Sequence, residues 1–462
     1  MTGNSPQELV ERALQASTAD GCVVLVDAST SANLRWANNT LTTNGMMQGS
    51  EVTVISTVDG GQGVASSALT RSASTVEEVQ ALVEAADAAA REAGPAEDAA
   101  PLIEGGDDPT WDDEPASTSI TVFDTFAPAL GEAFGRARSD DRLLYGYVEH
   151  TVGTVYLGSS SGLRRRHAQP TGHVGITGKS GDLTRSAWVG QSTRDFSDVD
   201  ALGLDSELER RLGWAKETVA LPADRYDTIL PPAAVADLLI YAYWTSAARD
   251  AYEGQTVYSK TGGGTRVGER LAKAGVNVYS DPAYPGLQCT PFVTAAASSS
   301  VSSVFDNGLA LEHTDWIHDG TLTSLAQTRH SAELTGLPVT PAIDNLVMKV
   351  DGASGSIDDL IAGVERGLLL TCLWYIREVD PQTLLLTGLT RDGVYLVENG
   401  EVTGAVNNFR FNESPIDLLE RFTAVAQTEA SFSREWGDYF PRTATPALRV
   451  PDFNMSTVSQ AL

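Results

Sequence analysis

Lysine is nearly absent from this sequence: only five lysines occur in 462 residues, and 61 acidic side chains stand against 32 basic ones. The formal net charge at pH 7 is therefore −29. Nucleic-acid affinity depends on Lys and Arg side chains that displace counterions from the phosphate backbone. We therefore expect no sequence-independent binding to DNA or RNA, and we interpret the acidic surface as a means of solvation.

Long apolar runs and paired cysteines are missing as well. No stretch approaches the roughly 18 consecutive apolar residues of a membrane-spanning helix, and the N-terminal MTGNSPQELVERALQ has neither the basic flank nor the apolar core of a secretory signal. The cysteines, Cys22, Cys289 and Cys372, are in no C-x-x-C spacing. Such scattered cysteines are ordinarily buried free thiols in a reducing compartment. The sequence therefore predicts a cytoplasmic protein with no membrane partner.

Histidine is scarce, with six in the whole chain. Zinc sites favour close spacings such as H-E-x-x-H, which place two ligands on one helix face, and no histidine pair has that spacing here. His313 and His318 are five residues apart, so a regular strand would direct them to opposite faces. We therefore predict no metal and no other cofactor in this chain.

The length and the distribution of breakers predict three segments. A chain of 462 residues is too long for one ordinary domain. Residues 94–117 are acidic and rich in proline, which is typical of a linker. We expect an N-terminal domain over 1–100, a middle domain over 101–218 and a C-terminal domain over 219–462. The predicted fold class is α+β, with an N-terminal α/β segment, a middle α+β segment and a large C-terminal, mainly antiparallel β domain.

Local signals predict several elements of these domains. The S-x-x-E and T-x-x-E patterns beginning at Ser5 and Thr75 are capping boxes that open helices. A turn at 37–40 separates strand-like runs at 22–27 and 51–56, and D-G at 319–320 and N-G at 399–400 predict two type I′ hairpins. The run 233–252 is apolar on most sides, which predicts one buried helix at the start of the C-terminal domain.

Two motifs allow a catalytic interpretation beside a structural one. G-S-S-S-G at 158–162 matches the nucleophile-elbow pattern around Ser160, but that motif requires a strand-to-helix turn. Strand-like runs flank it on both sides, so a hairpin turn is the better interpretation. Glu378 and Asp380 would share one strand face and could act as a carboxylate pair, or they are a charged strand end beside the Asp-Pro turn.

Several segments resemble the TldD/PmbA peptidase family. They are E-G-Q-T-V-Y-S at 253–259, V-G-E-R-L at 267–271, and the stretches 367–388 and 393–412. R-W-A-N-N-T-L at 35–41 is similar to the family's first domain. The resemblance covers nearly the whole chain and is strongest from 253 to 412.

The resemblance implies a particular kind of subunit. TldD-type chains carry a zinc-binding H-E-x-x-x-H motif on the helix before the E-G-Q-T-V-Y-S-like segment and a cysteine near the C-terminus. TldE/PmbA-type chains lack this motif and form a complex with a TldD-type subunit that degrades or trims unstructured peptides. Here the motif positions are held by Leu239, Ile240 and Trp244, and no cysteine follows Cys372. The implied role is a non-catalytic TldE/PmbA-type subunit whose TldD-type partner holds the zinc.

The candidate contacts to a peptide substrate are Arg377, Asn407, Asn408 and Arg410. Amides and guanidinium groups suit hydrogen bonds to a peptide backbone or carboxylate. Two other functions stay open. The chain could be an autonomous, metal-independent hydrolase that uses Glu378, Asp380 or Ser160, or a peptide-binding or maturation factor without proteolysis. Peptidase activity of the chain alone in the presence of a chelator would favour the autonomous hydrolase.

Overall fold

In the computed structural model, which describes residues 4–459, the chain forms two β-sheets with helices packed on them. The helices are α1 (Pro6–Ala16), α2 (Val76–Glu92), α3 (Phe126–Ser139), α4 (Ala201–Trp214), α5 (Pro232–Trp244), α6 (Ala248–Tyr252), α7 (Arg329–Thr335), α8 (Ile357–Ala362) and α9 (Pro415–Arg421). The strands of the first sheet are β1 (Gly21–Ala37), β2 (Thr40–Asp59), β3 (Val64–Ser72), β4 (Arg142–Ser159), β5 (Arg164–Ser180) and β6 (Ser186–Thr193). Within residues 4–459 no helix is long and apolar enough to cross a membrane.

The strands of the second sheet are β7 (Thr218–Val219), β8 (Asp224–Leu230), β9 (Val276–Ser280), β10 (Thr314–His318), β11 (Thr321–Leu322), β12 (Leu346–Val350), β13 (Arg366–Leu370), β14 (Leu373–Asp380), β15 (Leu385–Thr390), β16 (Val394–Glu398), β17 (Glu401–Val406), β18 (Phe409–Glu413), β19 (Ala424–Ser431) and β20 (Thr443–Val458). Most neighbouring strands are antiparallel; the parallel pairs are β12 with β20, β13 with β8, and β17 with β7. The α+β fold class with its large antiparallel C-terminal part is therefore confirmed.

Helix starts follow the predicted capping signals. Ser5 Oγ accepts a hydrogen bond from the backbone N–H of Glu8 at 3.2 Å, and α1 begins at the next residue, Pro6. At α2 both halves of the capping box are present, because Thr75 and Glu78 each bind the other's backbone N–H. These bonds satisfy donors that have no partner inside the helix, which stabilises the first turn.

The first sheet has the strand order β3-β2-β1-β4-β5-β6. Its strands come from both the first and the second predicted segments, and the three domain boundaries stay a prediction. Helices α1 and α2 cover one region of the sheet around Val24 and Val54, where Leu82 of α2 packs. Helices α3 and α4 cover another region around Trp36, where Leu208 of α4 packs.

Strands β1 and β2 continue well beyond the runs 22–27 and 51–56 that sequence pattern marks. Asn38 and Asn39, both at positive φ, form the predicted turn between them. The extended halves are largely polar, so alternation of apolar residues does not reveal them. They are held by backbone pairing instead, since β1 pairs with β2 on one side and with β4 on the other.

Other turns form as predicted. The D-G hairpin joins β10 to β11, and the N-G hairpin joins β16 to β17, with positive φ at all four turn residues. The G-S-S-S-G sequence at 158–162 connects β4 to β5, which confirms a strand-to-strand turn rather than a nucleophile elbow. The Asp-Gly and Asn-Gly pairs are the residues that the positive φ angles of a type I′ turn favour.

The prediction of one continuous helix over 233–252 is wrong. The chain forms α5 and α6, separated by residues 245–247. Ser246 donates its hydroxyl hydrogen to the carbonyl of Tyr243, while the backbone around Ala247 pairs with Ala326. The helix ends there because these backbone groups bond to a distant segment instead of to the preceding turn.

Arginine side chains join the two sheets. Arg442, which directly precedes β20, donates hydrogen bonds to Thr171 on β5 and to Asp344. Arg194, which directly follows β6, donates to Gln288 Oε1 at 2.7 Å. The first sheet is thus fixed against the C-terminal part by polar contacts near the middle of β5 and at the end of β6.

A buried ion pair between β4 and α4 gives a prediction about stability. Arg142 Nη1 lies 2.6 Å from Asp205 Oδ1, with side-chain exposures of 6% and 2%. We expect Asp205→Ala to lower the free energy of unfolding by about 3 kcal/mol, because it leaves a buried guanidinium with only the half-exposed Asp140 as partner. Denaturant-induced unfolding measures this change.

The matched control is the exposed pair of Arg136 and Glu132 on α3. Glu132→Ala should lower the free energy of unfolding by about 0.5 kcal/mol or less, because exposed pairs contribute little. Equal losses in the two variants would show that burial does not determine the contribution of the Arg142 pair.

Candidate functional site

Helix α5 presents the three motif positions to different surroundings. Leu239 and Ile240 are 5% and 0% exposed and belong to the apolar core of the C-terminal part. Trp244, at the end of the helix, is 40% exposed, and its ring centroid lies 5.2 Å from that of Trp436. Zinc requires imidazole, thiolate or carboxylate ligands, and none of these three side chains supplies one. These residues do not fit the zinc centre that the family motif would form.

Asp237 is the single acidic residue of α5, and it is completely buried. Its Oδ1 accepts hydrogen bonds from the hydroxyl of Ser433 and from the backbone N–H of Glu435, the latter at 2.9 Å. Its Oδ2 has no hydrogen-bond partner among residues 4–459. Burial raises the pKa of Asp237 to about 7, so near neutral pH this carboxyl is partly protonated.

Asp237 thereby fixes the segment 432–438, which is the first part of the connection between β19 and β20. The indole N–H of Trp436 also donates to the backbone carbonyl of Asp237 at 2.9 Å. The carboxylate of Glu435 in turn accepts hydrogen bonds from the backbone N–H groups of Tyr375 and Ile376, at 3.0 and 3.2 Å. One helix residue therefore orients a segment that contacts strand β14.

A cavity of about 450 Å³ lies between the first sheet and segment 432–438, and we name it the aromatic cavity. Its aromatic and imidazole lining residues are Trp36, Tyr145, Tyr147, His173, Trp188, Trp374 and Phe432. The Phe432 ring can approach β6 closely because residue 190 is glycine. A Cβ there would lie 2.8 Å from that ring. Ligand pockets typically combine aromatic and apolar side chains with a few polar groups.

The charged side chains that line this cavity are those of Arg35, Arg434, Glu435 and Asp438. The imidazole of His173 stacks on Phe432 with ring centroids 5.5 Å apart, and burial lowers its pKa, so it is uncharged at neutral pH. Its Nε2 lies 3.7 Å from Asp438 Oδ1. The guanidinium of Arg434 lies between Trp188 and Trp374, with Cζ 4.9 and 4.2 Å from their ring centroids.

The four predicted peptide contacts are distributed over one region of the second sheet. Arg377 on β14 is exposed and reaches Glu435 Oε1 at 3.3 Å. Its backbone pairs with Thr387 of β15, and Arg410 of β18 donates to the hydroxyl of the same threonine at 3.3 Å. The structure therefore brings Arg377 and Arg410 near each other across three strands.

The two asparagines make contacts within the fold. Asn407 Oδ1 accepts from the backbone N–H of Leu221 at 2.7 Å. Asn408 Oδ1 accepts from the hydroxyl of Thr390 at 3.2 Å. Both side chains therefore help to hold the loop between β17 and β18, and a role in peptide binding stays a prediction for all four residues.

The residues of the hydrolase alternative lie in separate places. The pKa of Glu378 is raised by burial and by repulsion from Asp380, so these carboxylates lie within interaction distance. Asp380 accepts from the hydroxyl of Thr383 at 2.7 Å in the turn after β14. Ser160 Oγ accepts from the backbone N–H of Cys22 at 3.0 Å, at the turn between β4 and β5. Each contact fits a structural role.

The expectation that His313 and His318 point to opposite faces of a strand is wrong. Both imidazoles lie near Asp315, at 3.2 Å for His313 and 3.9 Å for His318. The pairing of β10 with β9 shifts register between Asp315 and Ile317, and such a bulge changes the alternation of side chains. Within residues 4–459 no group of three or more His, Cys, Asp or Glu side chains is arranged to hold a metal ion.

Sequence reasoning missed Asp237, Arg434 and the tryptophans of the aromatic cavity. The sequence did contain one signal, because a lone aspartate inside an otherwise apolar helix needs a specific partner. That partner, Ser433, is 196 residues away along the chain. Trp188, Trp374 and Arg434 come from three distant segments, and no local spacing connects them.

Comparisons with known proteins give matches in sequence and in structure. A sequence profile described as the PmbA/TldA metallopeptidase C-terminal domain matches residues 223–457. A comparison with curated proteins found no match. Among solved structures, TldE from Thermococcus kodakarensis is similar with a TM-score of 0.75 and 18% identity, over 97% of this chain and 99% of that one.

Two further structures are similar over nearly their whole length, and both are described as candidate modulators of DNA gyrase. The protein from Bacteroides thetaiotaomicron has a TM-score of 0.74 and 15% identity, over 98% of each chain. The protein from Thermotoga maritima has a TM-score of 0.75 and 16% identity, over 97% of this chain and 99% of that one. At these identities the likeness concerns the fold.

The raised pKa of Asp237 predicts a pH dependence of stability. The folded-state pKa of about 7 exceeds the unfolded value of 3.8, so the folded state binds more protons between these values. The stability that the protonated form provides is complete below about pH 4 and is lost as pH rises through about 7. Asp237→Asn cannot ionise and keeps an acceptor for Ser433. We expect its free energy of unfolding, relative to the parent, to increase by about 1 kcal/mol per pH unit from pH 5 to 6.5.

Urea unfolding at several pH values measures this difference. Asp124→Asn is the control, since it makes the same substitution at an exposed position outside α5. If the free energy of unfolding changed with pH in the same way in the parent and in Asp237→Asn, the raised pKa assigned to Asp237 would be contradicted.

Proposed function

Because the chain belongs to the PmbA/TldD metallopeptidase family, we propose that it is the TldE/PmbA-type, non-catalytic subunit of a zinc-dependent peptidase complex. Its partner is a TldD-type homologue that carries the H-E-x-x-x-H motif and holds the zinc. The complex degrades or trims unstructured peptides. This chain forms part of the wall around the peptide and holds the partner in an active arrangement.

The observation that carries the proposal is the interior of α5. Leu239 and Ile240 pack in the apolar core, and Trp244 contacts Trp436 and Phe440. These three side chains pack against other residues of the fold. The helix that would hold the metal in a TldD-type chain is therefore a structural element of the core in this chain. The likeness to a TldE structure over nearly the whole chain supports the same subunit type at the level of fold.

Peptide binding by strand addition is supported by the second sheet. Within the described residues β14 pairs with no strand other than β15, so its other edge is free for a strand except where Glu435 binds the N–H groups of Tyr375 and Ile376. Arg377 lies on this strand, and Tyr375 and Val379 are 53% and 56% exposed. An open edge recognises the backbone of an extended peptide more than its side chains, which suits varied unstructured substrates.

The proposal includes a cytoplasmic location and no nucleic-acid or membrane partner. Cys22, Cys289 and Cys372 are free and buried, and burial raises the pKa of each thiol. Unpaired thiols of this kind are typical of a reducing compartment. The net charge of −29 disfavours contact with phosphate backbones and anionic lipid surfaces.

Co-expression of the tagged chain with its TldD-type homologue tests the proposal. We expect the two chains to co-purify, with about one zinc ion per pair because one motif provides one site. The pair should hydrolyse an unstructured peptide such as casein, and a zinc chelator should abolish this activity. Native mass spectrometry, elemental analysis and a peptidase assay provide the three measurements.

The chain expressed alone serves as the control and should contain no stoichiometric zinc and show no hydrolysis. Zinc-dependent activity of the isolated chain would refute the division of roles. Hydrolysis by the isolated chain that persists with chelator would instead support the metal-independent hydrolase that uses Glu378, Asp380 or Ser160.

A further inference from the structure

We propose that the aromatic cavity binds the free C-terminal carboxylate of a peptide, an inference that deepens the proposed peptide-related function and rests on it. The carboxylate is held by Arg434 and by the indole N–H groups of Trp374 and Trp36. The aromatic rings of the lining accommodate the last side chain of the peptide.

The first support is the state of Arg434. Its guanidinium is stacked between two indole rings, and its buried Nε has no hydrogen-bond partner among residues 4–459. Stacking fixes the plane of the guanidinium, which prepares it for a planar, bidentate ligand.

The neighbouring cavity provides a contrast. It has a volume of about 420 Å³ and is lined by Arg194 and Arg442, among other residues. Both arginines are engaged there, Arg194 with Gln288 and Arg442 with Asp344 and Thr171. Arg434 therefore differs from the arginines of a comparable site in the same molecule.

The second support is a set of donors without acceptors. Trp36 is 1% exposed, and its Nε1 has no hydrogen-bond partner among the described residues. Trp374 Nε1 is also buried without one. Both residues line the aromatic cavity together with Arg434. Indole and guanidinium groups only donate, so the missing ligand must supply acceptor oxygens.

Two carboxylates line the cavity, and neither bonds to the unpartnered donors. Glu435 accepts from two backbone N–H groups of β14 and from Arg377. The side chain of Asp438 is 80% exposed and lies 3.7 Å from the uncharged His173. Arg434 Nε and the indole N–H groups of Trp36 and Trp374 are therefore left for a molecule from outside.

The size and lining of the cavity favour a peptide terminus. A volume of about 450 Å³ holds one or two residues and not a folded chain. Two arginines line the cavity, Arg434 between two indole rings and Arg35 over the Tyr147 ring. The fixed planar guanidinium of Arg434 suits a carboxylate, whereas phosphate sites often include a helix N-terminus. Trp374 opens β14, so a peptide on the strand edge could reach the cavity with its end.

Isothermal titration calorimetry on the full chain tests the proposal, with acetyl-Ala-Ala-Ala-Leu as the probe and its C-terminal amide as the comparison. We expect the acid to bind at least about tenfold more tightly than the amide, because only the acid forms charge-assisted hydrogen bonds with Arg434. Arg434→Gln should remove this preference. Trp374→Phe keeps a ring but loses the donor, and it should weaken binding of the acid about fivefold.

Arg136→Gln is the matched control, since it removes an exposed arginine on α3 and should leave both affinities unchanged. Thermal unfolding verifies that each variant is folded, and Trp374→Phe carries the test if Arg434→Gln does not fold. Equal affinity for acid and amide, no binding of either, or displacement of the acid by an equal concentration of inorganic phosphate would each overturn the proposal.

Failure of this inference is distinguishable from failure of the proposed function. Co-purification with the TldD-type homologue and its zinc content do not depend on the cavity, so they should be the same in Arg434→Gln as in the parent chain. If the parent chain binds the peptide acid but does not co-purify with the TldD-type homologue, the subunit assignment is refuted instead.

Discussion

The candidate site depends on the burial of one carboxyl group. Asp237 lies inside an apolar helix and binds a segment that is almost two hundred residues further along the chain. Leaving such a group unpaired would be costly, since a buried polar group without a partner costs roughly 1–3 kcal/mol. The fold meets this constraint by holding segment 432–438 against α5. The positions of Arg434 and Glu435, and through Glu435 the start of β14, follow from that attachment.

The aromatic cavity is a consequence of the same attachment and of the first sheet. Segment 432–438 is held at a fixed distance from α5, and Phe432 packs against His173 and Trp188 of the first sheet. Gly190 permits that approach. The cavity therefore lies where parts of the chain from both sheets meet, which is a common place for ligand sites. Its shape would change if either contact were lost.

Sequence patterns predicted those features of the fold that depend on neighbouring residues. The capping bonds of Ser5 and Thr75 and the two type I′ hairpins depend on residues within a few positions of one another. The break after α5 was missed because Ser246 and Ala247 contact Ala326, which local propensity does not include. Likewise, the bulge at Asp315 changed the orientation of two histidines. The residues at the motif positions of α5 are visible in the sequence itself. The cavity, in contrast, forms only when folding brings three distant segments together.

The distribution of tryptophan has a practical consequence. Trp36, Trp188 and Trp374 line one cavity, and the chain has eight tryptophans in all. Indole emission responds to nearby charge and to exclusion of water, and two of these rings already sandwich a guanidinium. The molecule therefore contains an intrinsic fluorescent reporter at the place where a ligand would enter. Occupancy of the cavity can be followed optically in the unlabelled protein, even in mixtures with a partner chain that lacks such a cluster.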